Sequence, residues 1–284
     1  MSSDKTNNRS SFIGFIGAGN MASAILHGLV SNGWPTHALG VSDTDQAKCA
    51  SLSADLDIQS LNSNQALAAN ADIVVLAVKP QVMQAVCLEL ATALANEQSP
   101  LILSIAAGVP VASLRQWLNP DCAIVRVMPN TPALVGAGTS ALYANPKVTS
   151  EQRGLAGKIM SAVGTTLWLD DEDLLDAVTA LSGSGPAYFF HLIEIMVQAG
   201  CEMGLKHDDA LKLCTQTAYG AAVMANAPTA DLKALRTMVT SPGGTTERAL
   251  SVLDEGGLTT LVHKALKAAR DRSRELADVP GDGS

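Results

Sequence analysis

The chain has 284 residues, of which 47% are hydrophobic, so it is long enough for about two domains with sizeable buried cores. Only 16% of the residues are charged and the formal net charge is -8, which argues against binding of nucleic acid or of anionic membranes through diffuse positive charge. We therefore expect a soluble globular protein that acts on small molecules.

The first residues, MSSDKTNNRSS, are polar, and we interpret residues 1–11 as a short disordered lead that is neither a secretory signal nor a transit peptide. The closing residues 277–284 are expected to form a frayed tail. No stretch of about eighteen residues is apolar throughout, so the sequence predicts no membrane-spanning helix.

The cysteines and histidines are scattered along the chain. The cysteines are odd in number and lack CxxC spacing, which is typical of reduced thiols in a cytoplasm. The histidines are far apart and form no HxxxH pattern, so we expect no metal site. The five cysteines are Cys49, Cys87, Cys122, Cys201 and Cys214.

Residues 12–170 alternate apolar runs with segments of helical periodicity. Such alternation predicts a doubly wound α/β fold, in which helices cover both faces of a parallel sheet. Helical spacing begins at Asn20, Asp45, Gln81 and Val111. The predicted strands are FIGFIG, HALGVSD, ADIVVLAV, PLILSIAAG and CAIVRVM, and the later runs GTSALY and TTLWL are candidates to extend the sheet.

The pattern changes after DDEDL, where strand-like runs stop and Ala-rich helical segments begin, so we place a domain boundary near Asp171. In the segment Pro186–Leu205 the polar residues form one narrow stripe and the rest is largely apolar or small. Such a helix requires burial on most sides. A helical domain over residues 171–276 is too small to cover it alone, and a partner chain is expected. The polar stripe consists of His191, Glu194, Gln198 and Glu202.

The stretch FIGFIGAGNMASAI carries a GxGxxA pattern formed by Gly17, Gly19 and Ala22, between a predicted strand and a predicted helix. The first glycine permits a tight turn, the second lets phosphate oxygens approach the backbone, and the small third residue allows close packing. The pattern predicts a dinucleotide whose pyrophosphate lies at the helix N-terminus.

The second predicted strand ends at Asp43, where a ribose hydroxyl would be bound, and this favours NAD over a coenzyme with a 2'-phosphate. Ser42, Thr44 and Lys48 are close enough in sequence to offer a phosphate hydrogen-bond donors or charge. The sequence therefore leaves both NAD and NADP open.

Three more predicted strands end in AVKP, SIAAG and RVMPNTP, and ligands of doubly wound sheets lie at such ends. Lys79 in the first of them is equally consistent with a ligand contact and with a solvated lysine at a helix start.

Two glycine-rich segments lie in the helical half of the chain, and each leads into a predicted helix. LSGSGP lacks the spacing of a nucleophile elbow, and Pro186 suits a first helical turn. In TSPGGTTER, Gly244 is a candidate N-cap, with Glu247 three residues later. The free amides of that helix start favour an anion, and Thr245 and Thr246 add hydroxyl donors, although a plain helix start is the alternative.

The motifs GFIGAGNMASAI, LAVKP, SIAAG, RVMPNTPA, LSGSGPAYF and VTSPGGTTERAL occur in the order found in pyrroline-5-carboxylate reductases, and the resemblance runs from about Ser11 to Leu276. It implies NADPH- or NADH-dependent reduction of the cyclic imine pyrroline-5-carboxylate to L-proline, the final step of proline biosynthesis. It also implies an N-terminal Rossmann domain over residues 12–170 and a C-terminal helical domain that forms a homodimer, in some relatives assembled into a decamer.

The resemblance also assigns ligand contacts by motif. The glycine turn would hold the pyrophosphate, the end of the second strand and an asparagine would lie at the adenosine ribose, and two later turns would flank the nicotinamide. For the coenzyme these residues are Gly17, Ala18, Gly19, Asn20, Met21, Ser42, Asp43, Thr44, Asn64, Ala77, Val78, Lys79, Pro80, Pro129, Asn130 and Thr131. For the substrate they are Ser241, Gly244, Thr245 and Thr246, and Thr246 and Lys79 are the catalytic candidates.

The same motifs leave the coenzyme and the exact function open. Relatives that favour NADPH often lack an aspartate at the end of the second strand, so we expect this protein to use both coenzymes. A reductase of a six-membered cyclic imine would use the same motifs, and a dinucleotide sensor without catalysis would keep the glycine turn alone. A dehydrogenase of the beta-hydroxyacid type would lack SPGGTTER.

Overall fold

The computed structural model describes residues 11–94 and 99–278. Residues 1–10 of the predicted lead and residues 279–284 of the predicted tail lie outside the described residues. The chain divides into two compact units, one formed by residues 1–183 with residues 269–284 and the other by residues 184–268. The predicted boundary at residue 171 stays a prediction, and the first compact unit continues past it to residue 183.

The first unit contains one sheet of eight strands. The strands are β1 Ile13–Ile16, β2 Leu39–Ser42, β3 Gln59–Ser60, β4 Ile73–Leu76, β5 Leu101–Ser104, β6 Ile124–Met128, β7 Gly138–Ala144 and β8 Gly164–Leu169. Their order in the sheet is β3-β2-β1-β4-β5-β6-β7-β8, and β1 to β6 pair in parallel. The doubly wound fold predicted from the apolar runs is therefore confirmed.

The sheet departs from a wholly parallel arrangement at one place, since β6 and β7 pair antiparallel while β7 and β8 pair in parallel. Only residues 129–137 separate β6 from β7. That connection is too short for the crossover of a dozen or more residues that parallel neighbours require. The two later apolar runs thus extend the sheet, and both β7 and β8 run opposite to β1–β6.

Within residues 11–94 and 99–183, seven α-helices of the first unit follow the strands. They are α1 Asn20–Ser31, α2 Gln46–Leu56, α3 Asn64–Ala68, α4 Pro80–Ala91, α5 Val111–Trp117, α6 Ser150–Ser161 and α7 Leu174–Val178. The four predicted helix starts each lie within one residue of an observed start. Local chemistry accounts for two of them, because the Asp45 side chain caps α2 and Pro80 occupies the first turn of α4.

Two apolar cores flank the sheet. Ile13 and Phe15 of β1 lie in one core with α1, α2 and α6, whereas Ile16 lies in the other with α3, α4 and α5. Alternate residues of a strand point to opposite faces, so β1, β4, β5 and β6 are buried on both sides. Their continuous apolar sequence follows from this double burial.

The C-terminal end of the chain packs on the first unit. Ser273 Oγ donates to Asp176 Oδ1 of α7 over 2.7 Å, and Arg274 forms an ion pair with the same carboxylate at 3.5 Å. Ser273 itself is buried. These contacts explain why residues from 269 onward belong with the sheet unit.

The second unit is helical. Its elements are α8 Gly185–Glu202, α9 His207–Ala225, α10 Leu232–Met238, α11 Thr245–Glu255 and the first part of α12 Leu258–Asp278. Helix α8 packs against α9. It corresponds to the predicted segment Pro186–Leu205.

Large apolar side chains of α8 remain exposed in the single chain. Phe189 and Phe190 are 67% and 66% exposed, and the buried residues of the helix are only Gly185, Val197 and Gly200. Exposed apolar surface of this extent marks an interaction site. Among the described residues, no helix combines the length and apolar character needed to cross a lipid bilayer.

His27 links α1 to α2. Its Nδ1 lies 2.7 Å from the Ser23 carbonyl oxygen and its Nε2 lies 2.8 Å from Asp55 Oδ2. Both partners are acceptors, so the ring satisfies both only when it is protonated. The hydrogen bond to the Ser23 carbonyl oxygen is the largest cause that raises the pKa of His27 above 6.5. Burial opposes it, and the Asp55 carboxylate raises the pKa further.

The raised pKa of His27 makes this contact pH-dependent. Its contribution is fully present below pH 6.5, the ordinary value, and is lost as the pH rises through the raised folded-state value. We expect the melting temperature of His27→Gln to fall further below that of wild type at about pH 5.5 than at about pH 8.5. The pair is partly exposed, so the difference corresponds to less than about 1 kcal/mol.

The matched control is His37→Gln, because the His37 ring forms no hydrogen bond within the described part of the chain. Its melting temperature should differ from wild type equally at both pH values. Melting measured at one fixed protein concentration checks this expectation, and a His27→Gln difference that is independent of pH would contradict it.

Candidate functional site

The turn after β1 is held close to the ends of two neighbouring strands. Gly17 has φ +102°, and its amide donates to the Ser42 carbonyl oxygen over 2.8 Å. A Cβ at this residue would lie 2.7 Å from the Ala77 carbonyl oxygen. Only glycine combines a positive φ with the absence of a Cβ that would clash with Ala77. The turn therefore draws the ends of β1, β2 and β4 together.

The N-terminus of α1 opens from this turn. Gly19 is the N-cap and has no side-chain capping bond, and a Cβ added to it would meet no atom within 4 Å. Asn20 and Met21 form the first helical turn, where backbone amides lack intrahelical acceptors. The space beside Gly19 and these amides fits the pyrophosphate of a dinucleotide.

The end of β2 is fastened to the glycine turn through Asp43. Its Oδ2 accepts the Ala18 amide over 2.6 Å, and its Oδ1 accepts the Asp45 amide over 2.8 Å. Thr44 Oγ1 donates to the same Oδ1 over 3.3 Å. The structure thus brings together residues that the sequence assigns to the ribose and to the pyrophosphate.

Asn64, at the start of α3, also reaches the end of β2. Ser42 is only 2% exposed, and its hydroxyl donates to Asn64 Oδ1 over 3.1 Å. The amide nitrogen of Asn64 donates in turn to Glu89 Oε2 over 3.2 Å. Asn64 therefore lies beside Ser42, another of the residues predicted to contact the ribose.

The end of β4 presents four predicted coenzyme residues. Ala77 and Val78 are half-buried, whereas Lys79 and Pro80 are exposed at the start of α4. The ammonium group of Lys79 forms no ion pair or hydrogen bond with any residue that the structure describes. Its ammonium group is accordingly available to a ligand, although solvent accounts for its position equally well.

The turn after β6 is braced by a side chain predicted to face the coenzyme. Asn130 Oδ1 accepts the Thr139 amide over 2.8 Å, and its Nδ2 donates to the Ser182 carbonyl oxygen over 3.2 Å. Pro129 is buried and Thr131 is exposed. The Asn130 side chain thus fixes the shape of the turn, and its backbone is what remains for a ligand.

Ser182 was not singled out by sequence reasoning. It lies in the single π-helical turn Thr179–Gly183, and its hydroxyl is buried without a hydrogen-bond partner in the part of the chain that the structure describes. The turn packs tightly, since a Cβ at Gly183 would lie 2.3 Å from Met128 Cε. π-helical turns occur frequently at functional sites. The glycines of LSGSGP were the signal that marked this segment.

The acidic run DDED serves structure near the same strand ends. Glu172 Oε1 lies 2.5 Å from Arg126 Nη1 and also accepts the Val111 amide over 2.8 Å. The Arg126 side chain is 11% exposed, so the pair is largely desolvated. Glu172 therefore ties β6 to the start of α5.

The stretch TSPGGTTER forms a tight turn into α11 in the second unit. Gly243 has φ +70°, and its amide donates to Glu247 Oε2 over 2.7 Å. The Gly244 amide donates to the Ser241 carbonyl oxygen over 3.0 Å. Gly244 is the N-cap, as predicted, but Glu247 binds the residue before it.

Two amides of this turn remain for an anion. Thr245 and Thr246 are the first two residues of α11, where the helical ladder supplies no acceptor. The Gly244 amide is already engaged, and a Cβ at this residue would lie 2.9 Å from the Ser241 carbonyl oxygen, so the tight turn favours glycine there. Thr246 is half-buried, whereas Thr245 and Ser241 are exposed.

The predicted site residues fall into two groups. The coenzyme residues lie at strand ends of the first unit, and the contacts of Gly17 with Ser42, of Asp43 with Ala18 and of Ser42 with Asn64 link several of them. The substrate residues lie together in the turn before α11 of the second unit. No cluster of three or more potential metal ligands occurs among the residues described.

Residues 172–276 match the family model for pyrroline-5-carboxylate reductase dimerisation, and residues 12–108 match the model for NADP oxidoreductase coenzyme F420-dependent. A pyrroline-5-carboxylate reductase from Pseudomonas aeruginosa is 50% identical over 269 residues, which cover 95% of this chain and 98% of that protein.

Two solved structures of reductases are also similar to the chain. A pyrroline-5-carboxylate reductase from Coxiella burnetii has a TM-score of 0.91 at 42% identity, with 95% of this chain and 100% of that chain covered. Plasmodium falciparum pyrroline carboxylate reductase with NADP bound has a TM-score of 0.83 at 30% identity, with 94% and 98% covered.

Substitutions of the two glycines in the first turn should have different effects on the stability of the protein and on its binding of nucleotide. In Gly17→Ala, the positive φ and the contact with Ala77 strain the fold, so we expect a loss of at least about 1 kcal/mol of stability and weakened nucleotide binding. In Gly19→Ala the new methyl group meets open space, so the melting temperature should match that of wild type while binding of a dinucleotide weakens at least about tenfold.

Melting curves and calorimetric titration with a nicotinamide dinucleotide measure both properties. A Gly19→Ala variant that binds the dinucleotide as wild type does would show that the phosphates lie elsewhere.

Proposed function

The chain belongs to the pyrroline-5-carboxylate reductase family, and from this premise we propose that it reduces 1-pyrroline-5-carboxylate to L-proline with NADPH or NADH, the last step of proline biosynthesis. One observation carries the proposal: both glycine turns, before α1 and before α11, are present in a chain that matches reductases along nearly its whole length. The first turn suits a pyrophosphate and the second a carboxylate.

We assign the coenzyme to the strand ends of the first unit. Gly17, Gly19 and the first turn of α1 would hold the pyrophosphate, because a side chain is excluded or absent at both glycines. The end of β2 with Asn64 would hold the adenosine ribose. The turns after β4 and β6 would hold the nicotinamide half, through Ala77, Val78, Lys79, Pro80, Pro129, Asn130 and Thr131.

When bound, the reduced nicotinamide supplies a hydride. The chain's own contribution is to position groups. Asn130 fixes the turn after β6 through its two hydrogen bonds, and the Ser182 hydroxyl, unpaired among the described residues, is a candidate donor to a polar group of the nicotinamide half. Rigid support of this kind holds reacting atoms in alignment.

We assign the substrate carboxylate to the start of α11. The Thr245 and Thr246 amides lie in the first turn of a helix, whose N-terminus carries partial positive charge that favours an anion. Ser241 lies in the same turn and accepts the Gly244 amide through its carbonyl group. An anchored carboxylate would present one face of the ring to the hydride.

Thr246 is the proposed contact to the ring nitrogen. An imine carbon accepts a hydride most readily when the nitrogen is protonated, so an iminium N–H would donate to Thr246 Oγ1. Because the iminium already carries its proton, the reaction requires no strong general acid from the chain. Lys79 is assigned a secondary role, since its ammonium group is exposed at the start of α4.

The apolar face of α8 is the proposed contact with a second copy of the chain. The match to a dimerisation model and the exposure of Phe189 and Phe190 support a homodimer. The decamer implied by the resemblance stays a prediction that light scattering can test. The five thiols form no disulfide, which supports a cytoplasmic location.

The function is tested directly by measuring the absorbance of NAD(P)H when the protein is mixed with pyrroline-5-carboxylate or with its six-membered homologue. We expect oxidation of the coenzyme and formation of proline with the five-membered ring. Oxidation only with the six-membered ring would reassign the substrate. Bound coenzyme with no oxidation by either imine would favour a dinucleotide sensor.

Thr246 and Lys79 should differ in their effect on turnover. Thr246→Ala loses the contact that orients the reacting nitrogen, and kcat should fall about 100-fold. Lys79→Ala removes one exposed charge, so kcat should fall less than about tenfold. Thr246→Ser keeps a hydroxyl group and is the matched control, with kcat close to wild type. Equal turnover of all four proteins, with the fold intact, would refute the assignment of Thr246.

A further inference from the structure

The Asp43 carboxylate is fixed at the place where a coenzyme ribose is expected. Its Oδ1 accepts two hydrogen bonds, from the Asp45 amide and from Thr44 Oγ1. Its Oδ2 accepts one, from the Ala18 amide of the glycine turn. A carboxylate oxygen has two lone pairs, so Oδ2 retains one acceptor position beside that turn. A ribose 2'-hydroxyl could donate to it, whereas a phosphate could not.

The side-chain donors around Asp43 are already engaged within the same loop. The Ser42 hydroxyl is buried and donates to Asn64, and the Thr44 hydroxyl donates to Asp43 itself. Gln46 Nε2 donates to the Asp43 carbonyl oxygen over 2.7 Å. A 2'-phosphate would have to break these contacts to gain a donor from Ser42, Thr44 or Gln46.

The local charge also opposes a phosphate. Lys48 Nζ lies 3.3 Å from Asp45 Oδ2, and this hydrogen bond holds the pKa of Asp45 below its usual range. Asp43, Asp45 and Lys48 together carry two negative charges and one positive charge. A phosphate group adds about two further negative charges at neutral pH.

We propose that Asp43 is the residue that determines coenzyme specificity and that it makes the protein prefer NADH to NADPH, although both are used. The inference rests on the proposed function, because that function places the adenosine ribose at the end of β2. It goes further by giving the direction of the preference and the residue responsible.

Calorimetric titration of the full-length protein with NADH and with NADPH, without imine, tests the preference directly. We expect wild type to bind NADH at least about tenfold more tightly, since juxtaposed like charges weaken binding strongly. Asp43→Asn keeps an acceptor for the Ala18 amide but removes the charge, so the ratio of the two dissociation constants should move at least about tenfold toward NADPH.

Asp45→Asn is the matched control. It removes a carboxylate two residues away and preserves the cap of α2, because asparagine caps helices as well as aspartate does. Asp45→Asn also releases Lys48, so its ratio should move toward NADPH, but by less than about threefold, since Asp43 keeps its charge beside the glycine turn. Asp43→Ser provides the same test should Asp43→Asn fail to fold. Raising the salt concentration from about 20 mM to about 500 mM should also narrow the wild-type preference.

Equal or tighter binding of NADPH by wild type would overturn the inference, as would equal shifts in Asp43→Asn and Asp45→Asn. Imine reduction is assayed separately with each coenzyme at saturation. This assay distinguishes a failure of the role proposed for Asp43 from a failure of the proposed reductase function. Turnover with an unaltered ratio in Asp43→Asn refutes the role of Asp43 alone. Discrimination between the coenzymes without turnover of any imine refutes the reductase function alone, and binding of neither coenzyme refutes both.

Discussion

The close approach of Gly17 to the Ala77 carbonyl oxygen is the constraint on which the coenzyme side of this molecule depends. A Cβ at residue 17 would lie 2.7 Å from that oxygen, so β1 and β4 can be neighbours at this end only if the residue is glycine. The same residue donates to Ser42 and thereby fixes the end of β2. The close approach of these three strand ends and the open start of α1 consequently depend on one backbone conformation.

An acidic chain that acts on anions must bind them without strong positive charge. Its formal net charge is -8, and the predicted contacts include one lysine, Lys79. Backbone amides at the starts of α1 and α11 supply the donors instead, since a helix N-terminus carries partial positive charge that does not depend on pH. The Asn130 side chain holds the backbone of the turn after β6 in place, and the Asn64 side chain links the side chains of Ser42 and Glu89.

The sequence predicted elements whose residues are buried on both faces, because double burial leaves a continuous apolar run, as in β1 and β4. It did not predict β3, since its two residues are exposed. Helix α6 was also missed, although Thr149 and Gln152 form a capping box that marks its start. Both glycine turns were predicted, but the bonds of Asn130 join residues up to 52 positions apart and have no local signature.

The exposed apolar face of α8 makes the second unit dependent on association in the proposed homodimer. A helix with one narrow polar stripe and with Phe189 and Phe190 about two-thirds exposed gains its stability from covering that surface. Folding of such a unit is coupled to the concentration of its partner. The turn before α11 belongs to the same unit, so the proposed carboxylate site would share that dependence. The coenzyme turn at Gly17 lies in a sheet with two buried cores of its own and does not require it.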